Sequence, residues 1–148
     1  MTLEEFREID RQERSDDPAL FSRSSPDKCA SARDIADVEK LLKVALPESY
    51  RCFLMEFGGG SYGLTTIFSG DQNSEWYLPL KQVEASAYLP CNLLAFSDDF
   101  AGGLYVLKVA DDGIANESVV YWNQDGGLVE TDYVDVFEFV AKFAYEPA

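Results

Sequence analysis

Apolar residues recur every three or four positions through the first third of the chain, then crowd into short β-branched and aromatic runs. That change of period predicts helices first and a sheet second. Thr2 and Glu5 match a capping box, and Leu3, Phe6 and Ile9 share one face of a short N-terminal helix. Residues 15–30 carry two prolines and several turn formers and read as a connector that holds Leu20 and Phe21 against the core. Ser31 caps a second helix with Asp34 in its first turn and a stripe of Ile35, Val38, Leu41 and Leu42. Pro47 suits the first turn of a third helix, whose buried face is Tyr50, Phe53, Leu54 and Phe57. Gly58, Gly59 and Gly60 stop it.

Beyond this point the strand-like runs are 64–68, 76–80, 93–96, 104–109, 118–122 and 128–133. The segments 111–113 and 124–127 read as hairpin turns, which puts the last three runs in an antiparallel meander. Residues 81–88 fit a helical turn between strands. A closing helix presents Val136, Phe137, Val140, Ala141 and Ala144 on one side, with Asp135 as its cap. The expected fold class is α+β, with N-terminal helices, a mostly antiparallel sheet of about five to six strands and a C-terminal helix. Residues 1–30 read as a helical extension with its connector, and residues 31–148 as a single domain.

Charge then narrows the function. The chain holds 27 acidic and 12 basic residues and a net charge of −15. Residues 92–148 contribute eleven acidic residues against only Lys108 and Lys142. A phosphate backbone would be repelled, so direct nucleic-acid binding is not expected. Fast encounter with a basic protein partner is favoured; solubility alone is the competing explanation. Cys29, Cys52 and Cys91 form no paired spacing, so no disulfide framework is expected. The first residues lack a signal-peptide pattern, and no run of about 18 apolar residues exists. The expectation is a cytoplasmic protein without a membrane partner.

Candidate chemistry is sparse. The sequence has no histidine, which removes the usual general base near neutral pH and the commonest zinc ligand. Cys52 lies on the apolar side of a helix and reads as core. Gly58, Gly60 and Gly63 satisfy a dinucleotide-binding spacing, but they follow a helix and lead into a strand, which is the wrong context. Asp71 opens a segment like a calcium loop, yet Trp76 stands at the glycine position. The acidic pairs Asp98-Asp99 and Asp111-Asp112 read as solvated turn residues. Trp76 and Trp122 fall in expected strands, where a core role competes with that of an interface anchor. No catalytic residue, metal or cofactor is expected.

The block from Ile35 to Gly60 contains Glu39, a Leu46-Pro47 step, Tyr50 and Phe53, and the pair Gly59-Gly60. It resembles the opening of the SUKH superfamily, in particular the branch of the fungal Smi/Knr cell-wall regulator. The stretch from Leu93 to Leu107, with its acidic turn and Gly102-Gly103, resembles that family's central element, and 119–122 and 136–140 its next strand and last helix. The likeness spans residues 32–143. It departs at Ala101-Gly102-Gly103, where relatives show a Gly-Asp or Gly-Asn-Gly pattern, and it leaves the first 30 residues without a counterpart. The resemblance implies a domain without established catalysis. Many bacterial members look like immunity proteins that bind and neutralise a toxin domain, often a nuclease. The candidate partner-binding residues are then Asp98, Asp99, Phe100, Asp111, Asp112, Trp122 and Asp125. A regulatory scaffold with a non-toxic partner is the alternative, and a carboxylate-based hydrolase ranks third.

Overall fold

The computed structural model describes residues 1–22, 25–63 and 65–145, with the backbone alone at Leu20, Ser22, Ser25 and Pro26. The expected seat of Leu20 in the core therefore lies outside the described part. Helix α1 (Leu3–Asp16) is longer than the short helix expected, and its capping box is complete: the Thr2 hydroxyl accepts from the Glu5 amide, and the Glu5 carboxylate from the Thr2 amide. Phe6 is fully buried, and the rings of Phe53, Phe57, Phe137 and Tyr145 surround it at 5.0–6.0 Å. Buried Asp10 accepts from the Tyr145 hydroxyl at 2.7 Å and from Arg14 at 2.9 Å, tying α1 to the other end of the chain.

The segment read as a connector contains a short helix α2 (Pro18–Ser22) and a two-residue strand β1 (Ser25–Pro26). Pro18 opens α2, where its missing N–H is not needed.

Helix α3 (Ala32–Leu42) starts at a Ser31–Asp34 capping box and ends at Lys43, which has φ +56°. Ile35 and Val38 are buried, but Leu41 is 64% exposed, because it lies about 60° further round the helix than Val38. Pro47 occupies the cap position of α4 (Glu48–Glu56), one residue before the first turn where it was expected. Tyr50, Phe53 and Leu54 are fully buried there. Gly58 ends the helix at φ +82°, and a Cβ at that position would collide with the Asp27 carbonyl oxygen. Only glycine meets both demands.

Strands β2 (Gly60–Tyr62) and β3 (Thr65–Ile67) join β1 in a small antiparallel sheet of order β1–β2–β3; Leu64, expected to open this strand, lies outside the described residues. The run 76–80 is not a strand. Trp76 and Tyr77 lead into helix α5 (Leu78–Ala85), with Pro79 in its first turn. The Gln82 side chain both donates to and accepts from the Ala95 backbone, at 2.6 and 3.0 Å, and so satisfies an edge that would otherwise stand open.

The larger sheet is antiparallel in the order β4 (Leu93–Asp98), β5 (Gly103–Val109), β6 (Ala115–Asn123) and β7 (Gly127–Glu130). Its register shifts between Ala95 and Ser97, and there the Phe96 carbonyl accepts from the Phe68 amide at 2.8 Å. That bond links the small sheet to the large one. The fold is α+β as expected, with its strands divided between two sheets. The chain closes with α6 (Val136–Phe139), capped by Asp135 and continuing as a π-helical turn over Val140–Ala144. Phe139 is fully buried and packs on Phe96, Tyr105 and Tyr133, so this helix covers one face of the sheet. Among the described residues, no helix is long and apolar enough to cross a membrane.

Candidate functional site

In a meander, alternate turns fall at opposite ends of the sheet. Gly103 pairs with Asn123, and Asn123 with Gly127, so the turns 98–103 and 123–127 lie side by side at one end. Asp98, Asp99, Phe100, Gly102 and Asp125 meet there. Asp111 and Asp112 sit at the other end, in the β5–β6 turn, where the Asp112 carboxylate accepts from the Ile114 amide at 3.0 Å. Asp112 borders a shallow depression shared with Lys40 and Lys43. Trp122 is only 6% exposed and stacks on Tyr88 with ring centroids 5.8 Å apart. It is a packing residue of the sheet, without the exposure an anchor needs.

The turn 98–103 is built by its own carboxylates. Asp98 accepts from the Phe100 amide at 2.7 Å, and one Asp99 oxygen from the amides of Ala101 and Gly103 at 2.7 and 2.9 Å. The other Asp99 oxygen receives the Tyr121 hydroxyl. Burial favours the protonated acid, but these donors outweigh it and hold the Asp99 carboxyl below its ordinary value. Tyr121 reaches Asp99 by lying across Gly103, where a Cβ would collide with the tyrosine hydroxyl. Asp98 and Asp99 thus shape the turn, and Asp125 stands exposed in the neighbouring one.

Phe100 stands out. Its φ is +60°, a conformation costly for a bulky residue, and its side chain is 60% exposed. It meets Trp76 edge-on at 5.9 Å, and the Lys81 ammonium lies 4.7 Å from the centre of the same indole. A strained, outward aromatic between carboxylates is better suited to contact than to packing.

Both lysines of the C-terminal region are engaged, Lys108 with Glu130 and Lys142 with Glu138, each at 3.0 Å. Among the described residues, Asp98, Asp125 and Asp132 have no ion-pair partner. The turns at this end carry Asp98, Asp99 and Asp125, and the Lys81 ammonium beside Trp76 is itself paired with Glu84 at 3.1 Å.

The remaining motif residues hold the frame. Glu39 accepts from the Leu46 amide at 2.7 Å, which fixes the link into Pro47, and the Tyr50 hydroxyl donates to the Phe68 carbonyl at 2.7 Å. Phe53 packs under Phe6 and Tyr62. Gly59 lies against Ile67 and Ser69, Gly60 has φ +102°, and Gly102 has φ +93°. Burial pushes the Cys52 thiol up, away from the thiolate a nucleophile needs. Among the described residues, no three His, Cys, Asp or Glu side chains converge to hold a metal ion.

Two features escape the sequence reading. One is the pairing of Phe100 with Trp76. The other is a trough on the helix-covered face, lined by Tyr105, Tyr121 and Tyr133. Counting equal numbers of residues outward from Gly113 sets Tyr105 opposite Tyr121, which was the available signal.

Architecture and site define a small α+β domain, helices first and sheet after, with an acidic, aromatic-tipped sheet end. The SUKH_6 family, described as SMI1-KNR4 cell-wall, matches residues 32–140, and the chain belongs to that family. Its fold is similar to that in the crystal structure of a protein from Pseudomonas syringae pv. tomato. The TM-score is 0.71 at 19% identity, covering 95% of this chain and 98% of that one; at such identity the likeness concerns the fold. No curated protein matches the chain.

Proposed function

We propose that this SUKH-family domain is a non-catalytic binding module that neutralises a toxin domain, covering a basic surface of it with the acidic end of the larger sheet. The observation that carries this is Phe100, held outward in a left-handed turn beside carboxylates that form no salt bridge among the described residues. An aromatic anchor ringed by charge is the usual makeup of a strong contact, and the charge steers a basic partner to it. The absence of histidine and the use of Asp99 to hold its own turn favour binding over catalysis. A nuclease toxin suits the charge, since its nucleic-acid surface must be basic. The module needs no cofactor and acts in the cytoplasm.

The test is co-expression with the product of the adjacent open reading frame, followed by a toxicity assay and a pull-down at rising salt. The expected result is rescue of growth and a complex whose association slows steeply with ionic strength. If the product neither binds nor becomes less toxic, the proposal fails.

A further inference from the structure

We infer that the tyrosine trough beside the acidic sheet end is a receptor for an arginine side chain of the partner. This deepens the binding reading above and rests on its basic partner. The trough has a volume of about 500 Å³ and lies between β5, β6, the chain after β7 and the C-terminal helix. Tyr105 and Tyr121 meet across the sheet with centroids 5.1 Å apart and planes at 56°. Tyr105 also rests on Phe139 at 4.7 Å and Phe143 at 5.2 Å, and Tyr133 meets Phe139 edge-on at 5.4 Å. The rings are held from beneath, so ordering them on binding costs little.

The polar groups select the occupant. The Tyr121 hydroxyl is committed to Asp99, whereas those of Tyr105 and Tyr133 donate no hydrogen bond within the described structure. Thr131 donates to the Val119 carbonyl at 2.6 Å and accepts from the Tyr133 amide at 3.2 Å, so its hydroxyl holds the wall of the trough. Of the two carboxylates on the rim, Glu130 is paired with Lys108; Asp132 is exposed, lies within the field of Lys142 and forms no salt bridge among the described residues. Lys142, the lysine at the trough, is held by Glu138 at 3.0 Å.

Ring faces, the hydroxyls of Tyr105 and Tyr133 and an exposed carboxylate outside any salt bridge together match a planar guanidinium. It can stack on a tyrosine while donating in its plane to oxygen. An ammonium would use the charge but not the stacking, and an anion would be repelled. Tyr121 lines the trough and its hydroxyl reaches Asp99 in the turn bearing Phe100, which puts the trough next to that turn.

The experiment titrates the protein with N-acetyl-arginine methylamide, the lysine counterpart and N-acetyl-alanine methylamide, reading tyrosine ring signals by NMR. The arginine compound should shift Tyr105, Tyr121 and Tyr133 saturably, at concentrations about three- to fivefold below the lysine compound. Asp132→Asn, at an exposed position, should raise the arginine concentration needed by about threefold. Tyr105→Phe with Tyr133→Phe keeps the packing and should weaken binding through the hydroxyls alone. Equal shifts from all three compounds, or shifts that spare the tyrosines, would overturn the inference. With the co-expressed partner, the same variants should dissociate faster. If they bind like wild type while Phe100→Asn does not, the trough is no receptor and the binding module stands. If arginine titrates the tyrosines but no basic partner is found, the trough stands and the toxin reading falls.

Discussion

Replacing Phe100 by Asn separates a contact residue from a structural one, because the two roles predict opposite balances. A left-handed backbone costs a residue like Phe about 1–2 kcal/mol, most of which Asn avoids. Against this gain stands the lost edge contact with Trp76, worth about 0.5–1.5 kcal/mol. Little buried area is at stake, since the ring is 60% exposed, and the backbone amide of the substituted residue can still donate to Asp98. These effects oppose each other, so folding stability should stay within about 1 kcal/mol of wild type. Binding should behave differently: loss of a central aromatic anchor costs at least about 2 kcal/mol, roughly 30-fold in Kd. Urea unfolding followed by circular dichroism gives the first quantity, and calorimetric titration of the co-purified partner the second. A loss of about 3 kcal/mol in stability, the range for a buried Phe, with affinity unchanged would refute the reasoning.

Phe6→Ala should destabilise by about 3–5 kcal/mol in the same unfolding assay, because a fully buried ring among four aromatic neighbours is removed; a change below about 1 kcal/mol would make α1 peripheral. Glu39→Ala strands the Leu46 amide and should cost about 1–3 kcal/mol, with Glu39→Gln restoring most of it; equal losses in the two variants would remove that bond from the explanation. Asp99 has a folded pKa below its unfolded one, so its contribution is complete above the ordinary carboxylate range near about 4 and is lost as pH falls through the folded value. Asp99→Asn should therefore flatten the acid limb of the stability–pH curve, and curves that stay parallel below about pH 5 would contradict this. Asp111→Asn with Asp112→Asn, at the far end of the sheet, should slow association and reduce its salt dependence while leaving the off-rate alone; a faster off-rate would place that end in the contact.

Local signals were the readable ones. The Thr2–Glu5 capping box and the Ser31 cap with Asp34 in its first turn were read directly; the structure closes the second into a capping box too, since both involve residues three apart and form without help from the rest of the chain. The hairpin turns at 111–113 and 124–127 were equally legible, since Gly and Asp there meet a local demand on the backbone. The run 76–80 misled because a short apolar stretch fits a buried strand or a helix start, and Pro79 was the cue for the helix. Leu41 misled because a stripe drawn at three- and four-residue steps includes one position too many. The left-handed Phe100 had no cue at all. Nothing in a single sequence assigns a positive φ to phenylalanine, and its partner Trp76 arrives from a different part of the fold.

The placement of the acidic residues shows why charge and contact must be argued separately. Strand pairing sends Asp111 and Asp112 to one end of the sheet and Asp98, Asp99 and Asp125 to the other, so the excess of carboxylates after residue 91 does not form one patch. What acts over distance is the charge of the whole domain, and salt screens it beyond about 10 Å. What acts at contact is a short list, because Asp99 is already committed to its turn and Glu130 to Lys108. The steering surface is broad and the gripping surface narrow. Under the proposed binding function, specificity for one basic partner over another would fall to Phe100 and the tyrosine trough, whose shapes charge alone does not provide.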